Sequence, residues 1–594
     1  MATVVEILTA ALPLLLAGVL LVGFLWPATR AMPIAWLSAL VIGFVVWNMP
    51  PNWLVAASAV GVMTALEILW IVFGALVLLY TLMEAGAFDR INQGFAAVSD
   101  DRRVQIVLLG FFMATFIEGA AGFGTPPAVV APLLLGLGFP ALAAVIAALI
   151  GHIIAVTYGA VGTPIIVGIV DPLESVASTQ EAIQSAGLSV NEYAVEVAAW
   201  AATYHALVGF AMPLFAVGMV VYFFGEERSI KPALEVAPLC LFAGIAFAVP
   251  YWASAWFLTA EFPSLIGSMV GGAITVGVLR AGYLQPDSDW EFPPREEWPD
   301  YWLGTIEPGQ SNGDSGAASR GGVSPGSDTG GSGRGMSLLT AWAPYVALVV
   351  LLVITRAIGP ISDFINRDIF ITSWSDILGT TLGGSIGWLN APGFWLILSA
   401  LLAVPLYRMS GDEIKAAWGE AVRKIASPFI ALVFVIAMVQ VMLQSGAHAS
   451  VVDTIPTMVV EGQQQPVSMI EALAITTADI IGPIYPFFAA LIGALGAAMA
   501  GSNTVSNITF ANFQFISAQQ LGLPTQIIVG AQAVGGAIGN LVAIHNVVAA
   551  LATVGLVGKE GRVMRLNLIP LLYYATAVGV LALVFSYVLF PGLF

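Results

Sequence analysis

Residues 116–127 read FIEGAAGFGTPP: one carboxylate, three glycines and two prolines set inside a long apolar run. Glycine reaches backbone angles closed to other residues, and proline cannot donate a backbone hydrogen bond, so a helix entering at Phe116 must stop and restart near Pro127. The surroundings decide what such a break means. The 594 residues are 59% hydrophobic and 9% charged, with mean hydropathy +0.92, and apolar runs of about twenty residues recur from end to end. A soluble fold would leave most of these runs without a polar face. The expected class is an all-α polytopic membrane protein with roughly a dozen or more transmembrane helices.

Irregular backbone at membrane depth is tolerated only where protein or a water-filled cavity supplies the missing partners. The break therefore marks a candidate site, because a restarted helix aims free N–H groups and its positive dipole end at whatever fills the gap. A packing kink is the alternative, with small residues letting helices approach. A second break weakens that alternative. GSNTVSN at 501–507 interrupts another apolar run, and both breaks lead into a helix that ends in a similar turn, GLGFP at 136–140 and LGLP at 521–524. Each is followed by a glycine-rich span, YGAVGTP (158–164) and VGGAIGNLVAIHN (534–546).

Charge placement gives the expected topology. Arginines and lysines gather at Arg30, Arg90–Arg103, Arg228–Lys231, Arg280–Arg334, Arg408–Lys424 and Lys559–Arg565, which the positive-inside rule makes cytoplasmic. The base-free acidic loop near Asp171 and the stretch with Asp453 and Glu461 then lie outside, as do both termini. The two broken regions cross in opposite senses, the pattern of two inverted repeats with broken or re-entrant helices. Residues 1–282 form a first membrane half and 337–594 a second. A cytoplasmic linker spans 283–336, of which 304–336, rich in Gly, Ser and Asp, is expected to be disordered. Within it DSDWEFPPREEWPDYW mixes aromatics with charge and is either a membrane-interface segment or a solvated loop.

Ser502, Asn503, Thr504, Ser506 and Asn507 offer hydroxyls and amides, suited to a small carboxylate that wants donors or to a dehydrated sodium ion that wants oxygens. No lysine or arginine lies between Arg103 and Arg228 or between Lys424 and Lys559, so helix ends, hydroxyls and amides must hold an anion. Glu118 is costly in hydrocarbon and reads as a proton carrier or as a neutral acid bonded to a freed carbonyl. His152, Tyr158, Gln532 and His545 are further polar residues deep in these spans. His205 reads as structural, and the neighbours of Glu67 and Asp479 are not inferable. One cysteine, Cys240, allows no disulfide framework or thiolate metal site, and no metal-ligand cluster or nucleophile–base pair suggests an enzyme. No cofactor or metal is expected. The excess of 36 acids over 19 bases argues against nucleic-acid partners and fits a surface whose self-repulsion is screened by salt.

EGAAGFGTP, GLGFPALAA, YGAVGTPI, GSNTVSN and VGLVGKEGRVMR together resemble the L-lactate permease family of bacterial and archaeal 2-hydroxymonocarboxylate transporters, over the membrane regions of nearly the whole chain. The resemblance implies secondary uptake of L-lactate, with glycolate and D-lactate often accepted, in symport with protons across the cell membrane. GSNT is also similar to the Ser-Asn-Thr motif of the wider ion-transporter superfamily, which by analogy suggests elevator-type motion of a transport domain against a scaffold, and a homodimer built through that scaffold. On this reading the helices restarting at Gly122, Gly124 and Thr125 and at Ser502–Thr504, with Ser506 and Asn507, hold the substrate carboxylate. Tyr158, Gln532 or His545 reads the 2-hydroxyl, and Glu118 and His152 serve proton coupling. Two features depart from the family pattern: GHIIAVTYGAVGTP replaces an Asn-containing stretch, and AIHN replaces a Ser-Pro pair. The rival readings are a sodium-coupled mono- or dicarboxylate symporter, with Ser502, Asn503 and Thr504 as the ion site, and a passive anion channel.

Overall fold

The computed structural model describes residues 4–309, 335–452, 454–460 and 463–593. Residues 310–334, most of the 304–336 stretch expected to be disordered, and the acids Asp453 and Glu461 lie outside the described residues. Among those described, twelve helices are long and apolar enough to cross a membrane, and a bent pair, Val190–Gly209 with Met212–Phe224, adds a thirteenth if it is one span. The strands are two short antiparallel hairpins, Ile371–Trp374 with Gly384–Gly387 and Thr457–Val460 with Gln463–Pro466. The chain is therefore an all-α polytopic membrane protein.

Burial separates an inner body from an outer frame. The span windows of Arg102–Ala121, Ile153–Glu174 and Thr525–Val542 are 94–100% buried, whereas those of Val4–Gly23 and Ala28–Val45 are 28% and 33%. The first broken region and residues 503–539 of the second belong to the inner set, while Tyr485–Ala500, in a span window 44% buried, borders it. The frame centres on Pro51–Glu84 against Gly411–Leu443, 34 and 33 residues long, each spanning about 50 Å at ~1.5 Å per residue. Glycine lets Pro51–Glu84 touch its neighbours backbone to backbone: a methyl on Gly61 would overlap Ala437 of Gly411–Leu443, and one on Gly74 would overlap Gly393 of the helix Pro392–Leu406. On the frame, Glu67 stands beside Asp171 and Glu174, and Thr64 hydrogen-bonds Asp171. Asp479 is exposed near the end of its helix.

The broken regions share one order of elements. The first runs Ala114–Ala121, a break at 122–124, Thr125–Gly136, a proline turn, Ala141–Gly151, a 3-10 turn Ile153–Tyr158 and Gly159–Ile166. The second runs Tyr485–Ala500, a break at 501–502, Asn503–Gln520, a proline turn, Thr525–Gly539, a 3-10 turn Asn540–Val542 and Ile544–Thr553. They are pinned together by Asn507, whose amide donates to Pro164 O at 2.9 Å, and by Asn512, which donates to Pro172 O at 3.2 Å.

Residues 283–309, the described part of the linker ahead of residue 310, form a strap on the inner body. Glu291 pairs with Arg102 at 2.8 Å, Phe292 packs edge-on against Phe139, and Gly309 N donates to Leu135 O at 3.0 Å. Farther along, Thr305 N donates to Gly555 O at 2.9 Å, and the Arg562 guanidinium sits 3.7 Å over the Tyr301 ring. The strap thus bridges the ends of both broken regions. Its anchor is Asp101, which caps the helix at Arg103 N, accepts from Trp290 N at 2.9 Å and pairs with the Arg103 guanidinium at 2.7 Å, both side chains being buried. Without Asp101 the Arg103 guanidinium keeps Glu235, Pro232 O and Ser288 O, but the helix cap and the tie to Trp290 N are lost. Asp101→Ala is therefore expected to cost about 2–4 kcal/mol and lower the melting temperature in detergent. Asp101→Asn, which keeps a capping oxygen, should recover part of the loss.

Candidate functional site

The first break is built from three consecutive residues with positive φ. Gly122 (φ 60°, ψ −153°) takes a conformation open essentially to glycine alone, and Phe123 (φ 51°) and Gly124 (φ 73°) follow in the left-handed region. Gly122 N still bonds Glu118 O, and Thr125 closes the restart by donating both its amide and its hydroxyl to Gly122 O. A second left-handed run, Ala160, Val161 and Gly162 (φ 43°, 55° and 80°), abuts it, so that a methyl on Gly122 would meet Ala160 N at 2.9 Å. At the other break Gly501 turns the chain at φ 63° and Ser502 caps the next helix, its hydroxyl accepting from Val505 N.

These turns line one small cavity of about 20 Å³, room for a single water and well below ligand pockets of ~300–1,000 Å³. The first break contributes Glu118, Gly122, Phe123 and Gly124, and the span after it His152, Val156, Gly159 and Pro164. From the second break come Gly501, Ser502, Asn503 and Thr504, with Asn540 from the span that follows. The amides of Phe123, Gly124, Asn503 and Thr504 have no hydrogen-bond partner among the described residues. Pro126 and Pro127 subtract donors from the first helix start, so the two amides ahead of Thr125 do what its first turn would otherwise do.

Three side chains give the cavity its chemistry. Glu118 makes no hydrogen bond or ion pair among the described residues, and its carboxylate lies so close to Gly159 that a methyl there would overlap it. His152 donates from Nδ1 to Ala148 O at 3.0 Å, which leaves Nε2 as the lone-pair nitrogen. Asn503 is buried with both amide atoms unpartnered, beside Gly536. No lysine or arginine lines the space.

The other expected site residues lie around the cavity without lining it. Ser506 donates to Gly493 O at 2.8 Å and receives Gln532 Nε2 at 3.1 Å, while Gln532 Oε1 receives Gln514 Nε2 at 3.0 Å. Tyr158 turns away, its hydroxyl donating to Ala198 O. Asn507 is spent on Pro164, and the His545 ring packs against the Gly501 turn. His205 bridges Thr157 Oγ1 at 2.8 Å and the Tyr574 hydroxyl at 2.5 Å, a fully satisfied hub as its structural reading expected. Phe123, Val156, Gly159, Pro164, Gly501 and Asn540 are additions that sequence reasoning missed. Asn540 was the most findable, since it follows the helix of the second unit as His152 follows that of the first. Its Oδ1 accepts from Asn546 Nδ2 at 2.6 Å, and the Asn546 side chain abuts Gly124.

The sequence profile described as L-lactate permease matches residues 6–589. The L-lactate permease of Escherichia coli (strain K12) is 26% identical over 93% of this chain and 90% of its own length. That of Bacillus subtilis (strain 168) is 25% identical, covering 89% and 87%. The glycolate permease GlcA of Escherichia coli (strain K12) is 25% identical, covering 93% and 91%. Among solved structures, Neisseria gonorrhoeae MtrF aligns with 87% of this chain and 81% of its own at 13% identity and a TM-score of 0.40.

Proposed function

The chain belongs to the L-lactate permease family, and from that premise we propose that it is a secondary active transporter importing L-lactate and related 2-hydroxymonocarboxylates such as glycolate by proton symport. The observation that carries the reading is the company Glu118 keeps: an unpaired carboxylate and four residues with free backbone amides line the same small cavity. The amides suit a carboxylate ligand. Two like charges cannot share so small a low-dielectric space, so the substrate anion enters only with Glu118 protonated, and anion and proton travel together. His152 Nε2, the second protonatable group on the cavity wall, passes the proton on. Asn503 and the Ser502 and Thr504 hydroxyls read the carboxylate and the 2-hydroxyl.

The shared order of elements at the two breaks supports an inverted repeat, with the substrate held where the units meet. The pinned, strapped inner body and the glycine-packed frame suggest an elevator motion of one against the other, with the frame as the surface of a homodimer. The protein then lies in the cell membrane with both termini outside and the strap cytoplasmic, and works without a cofactor.

The test is radiolabelled L-lactate accumulation in proteoliposomes under an inward proton gradient or an inward sodium gradient, in separate runs with the potential clamped. Accumulation on protons alone is expected. Accumulation on sodium alone would move the coupling to an ion at Ser502, Asn503 and Thr504. Flux that never exceeds equilibrium under either gradient would make the protein a passive channel.

A further inference from the structure

An apolar groove of about 410 Å³ opens between Ala87–Ala96, the membrane helix Pro263–Arg280 and the start of the membrane helix Leu338–Ala357. Phe95, Met269, Val276 and Trp342 wall it, and the floor at Gly277 is bare: a methyl there would meet nothing within 4 Å. Arg280 closes one end, exposed, with no carboxylate or hydrogen-bond partner among the described residues. Arg90, one helical turn before the groove residue Gly94 and on the same face, spends only its Nε, on Met336 O at 3.1 Å. The positive end of Leu338–Ala357 adds to the same rim.

We propose that this groove binds one anionic glycerophospholipid of the cytoplasmic leaflet, an acyl chain lying along Gly277 and the phosphate held by Arg280 and Arg90. The apolar length calls for hydrocarbon, and the site lies between membrane-spanning helices, where lipid is the available hydrocarbon. The unpaired cations at the end that the positive-inside pattern makes cytoplasmic call for a negative headgroup, the arrangement by which basic pockets between membrane helices recognise acidic lipids. The proposal is independent of the transport mechanism, although Trp342 packs on Phe116 with ring centroids 4.6 Å apart, two residues from Glu118.

The experiment is native mass spectrometry of the full-length protein, titrated with phosphatidylglycerol or with phosphatidylcholine of the same acyl chains. The wild type is expected to retain one phosphatidylglycerol in preference to phosphatidylcholine. Arg280→Gln should lower phosphatidylglycerol retention roughly fivefold, toward the phosphatidylcholine level. Gly277→Leu, which fills the floor, should lower retention of both lipids, and Arg565→Gln, an exposed arginine elsewhere, should change neither. Equal retention of the two lipids by the wild type, or retention indifferent to Arg280→Gln, would overturn the proposal. So would a photo-crosslinker placed at position 277 that captures a peptide of the same chain and no lipid.

Discussion

Glu118→Gln is expected to reduce proton-driven accumulation of L-lactate to the level of protein-free liposomes while counterflow exchange of labelled for unlabelled substrate persists. The substitution keeps the shape of a protonated glutamate, and the side chain has no partner among the described residues for the change to disrupt. What it removes is the ability to become an anion again after the substrate leaves. The sign with pH follows. Wild-type exchange should fall as pH rises, because the ionised carboxylate and the substrate anion compete for one small space, and exchange by Glu118→Gln should be flat. Electrical behaviour gives a second reading. Lactate with a proton is neutral, whereas lactate alone moves one charge, opposed by about 2.3 kcal/mol per 100 mV of inside-negative potential. Net uptake by the variant should therefore become sensitive to a potential that the wild type ignores. Proton-driven uptake unchanged in Glu118→Gln would remove this residue from the mechanism.

The two breaks were legible in the sequence because glycine and proline act locally. EGAAGFGTPP forbids a continuous helix wherever it stands, and five polar residues in seven at 501–507 have no business in hydrocarbon unless something polar is near. The left-handed run at Ala160–Gly162 was not legible. Ala160 and Val161 carry side chains that disfavour positive φ by roughly 1–2 kcal/mol per residue, so local preference argues against the conformation that packing against the first break imposes. Nor could spacing separate Asn503 from Asn507. They stand one turn apart on the same helix face, and only the depth of the cavity decides that the first turn reaches it while the second is spent on Pro164. The strap was hidden by composition. Residues 283–309 are rich in proline and charge, the signature of a linker, yet Phe292 and Tyr301 serve as its contacts on the inner body.

The units share an order of elements but not an inventory. Glu118 stands four residues before Gly122, and the matching position before Gly501 is Ala497. One break thus brings the carboxylate and the other the orphaned amide of Asn503, so a cavity between two related turns is chemically one-sided. Proton coupling needs only one titrating carboxylate, and a second in so small a space would repel the first.

Asn503 provides the other large effect. A buried amide with neither donor nor acceptor satisfied costs the protein about 1–3 kcal/mol. Asn503→Ala should therefore leave the melting temperature of the substrate-free protein unchanged or raise it, an unusual outcome for a buried position. Transport should suffer all the same. A hydrogen bond to a charged ligand is worth about 1.5–3 kcal/mol, so uptake at low L-lactate is expected to fall roughly 10- to 100-fold, mainly through a raised KM. The neighbouring Asn507 supplies the contrast. Its amide already donates to Pro164 O and ties the two broken regions together, so Asn507→Ala should lower the melting temperature and any loss of uptake should follow the loss of folded protein. If Asn503→Ala lost stability and transport together, Asn503 would be a structural residue like Asn507, and the carboxylate would have to be held by the backbone amides alone. A gain in stability beside a loss of uptake would mean that the fold keeps an unpaired amide at a cost, and that the cost is recovered only when a ligand arrives.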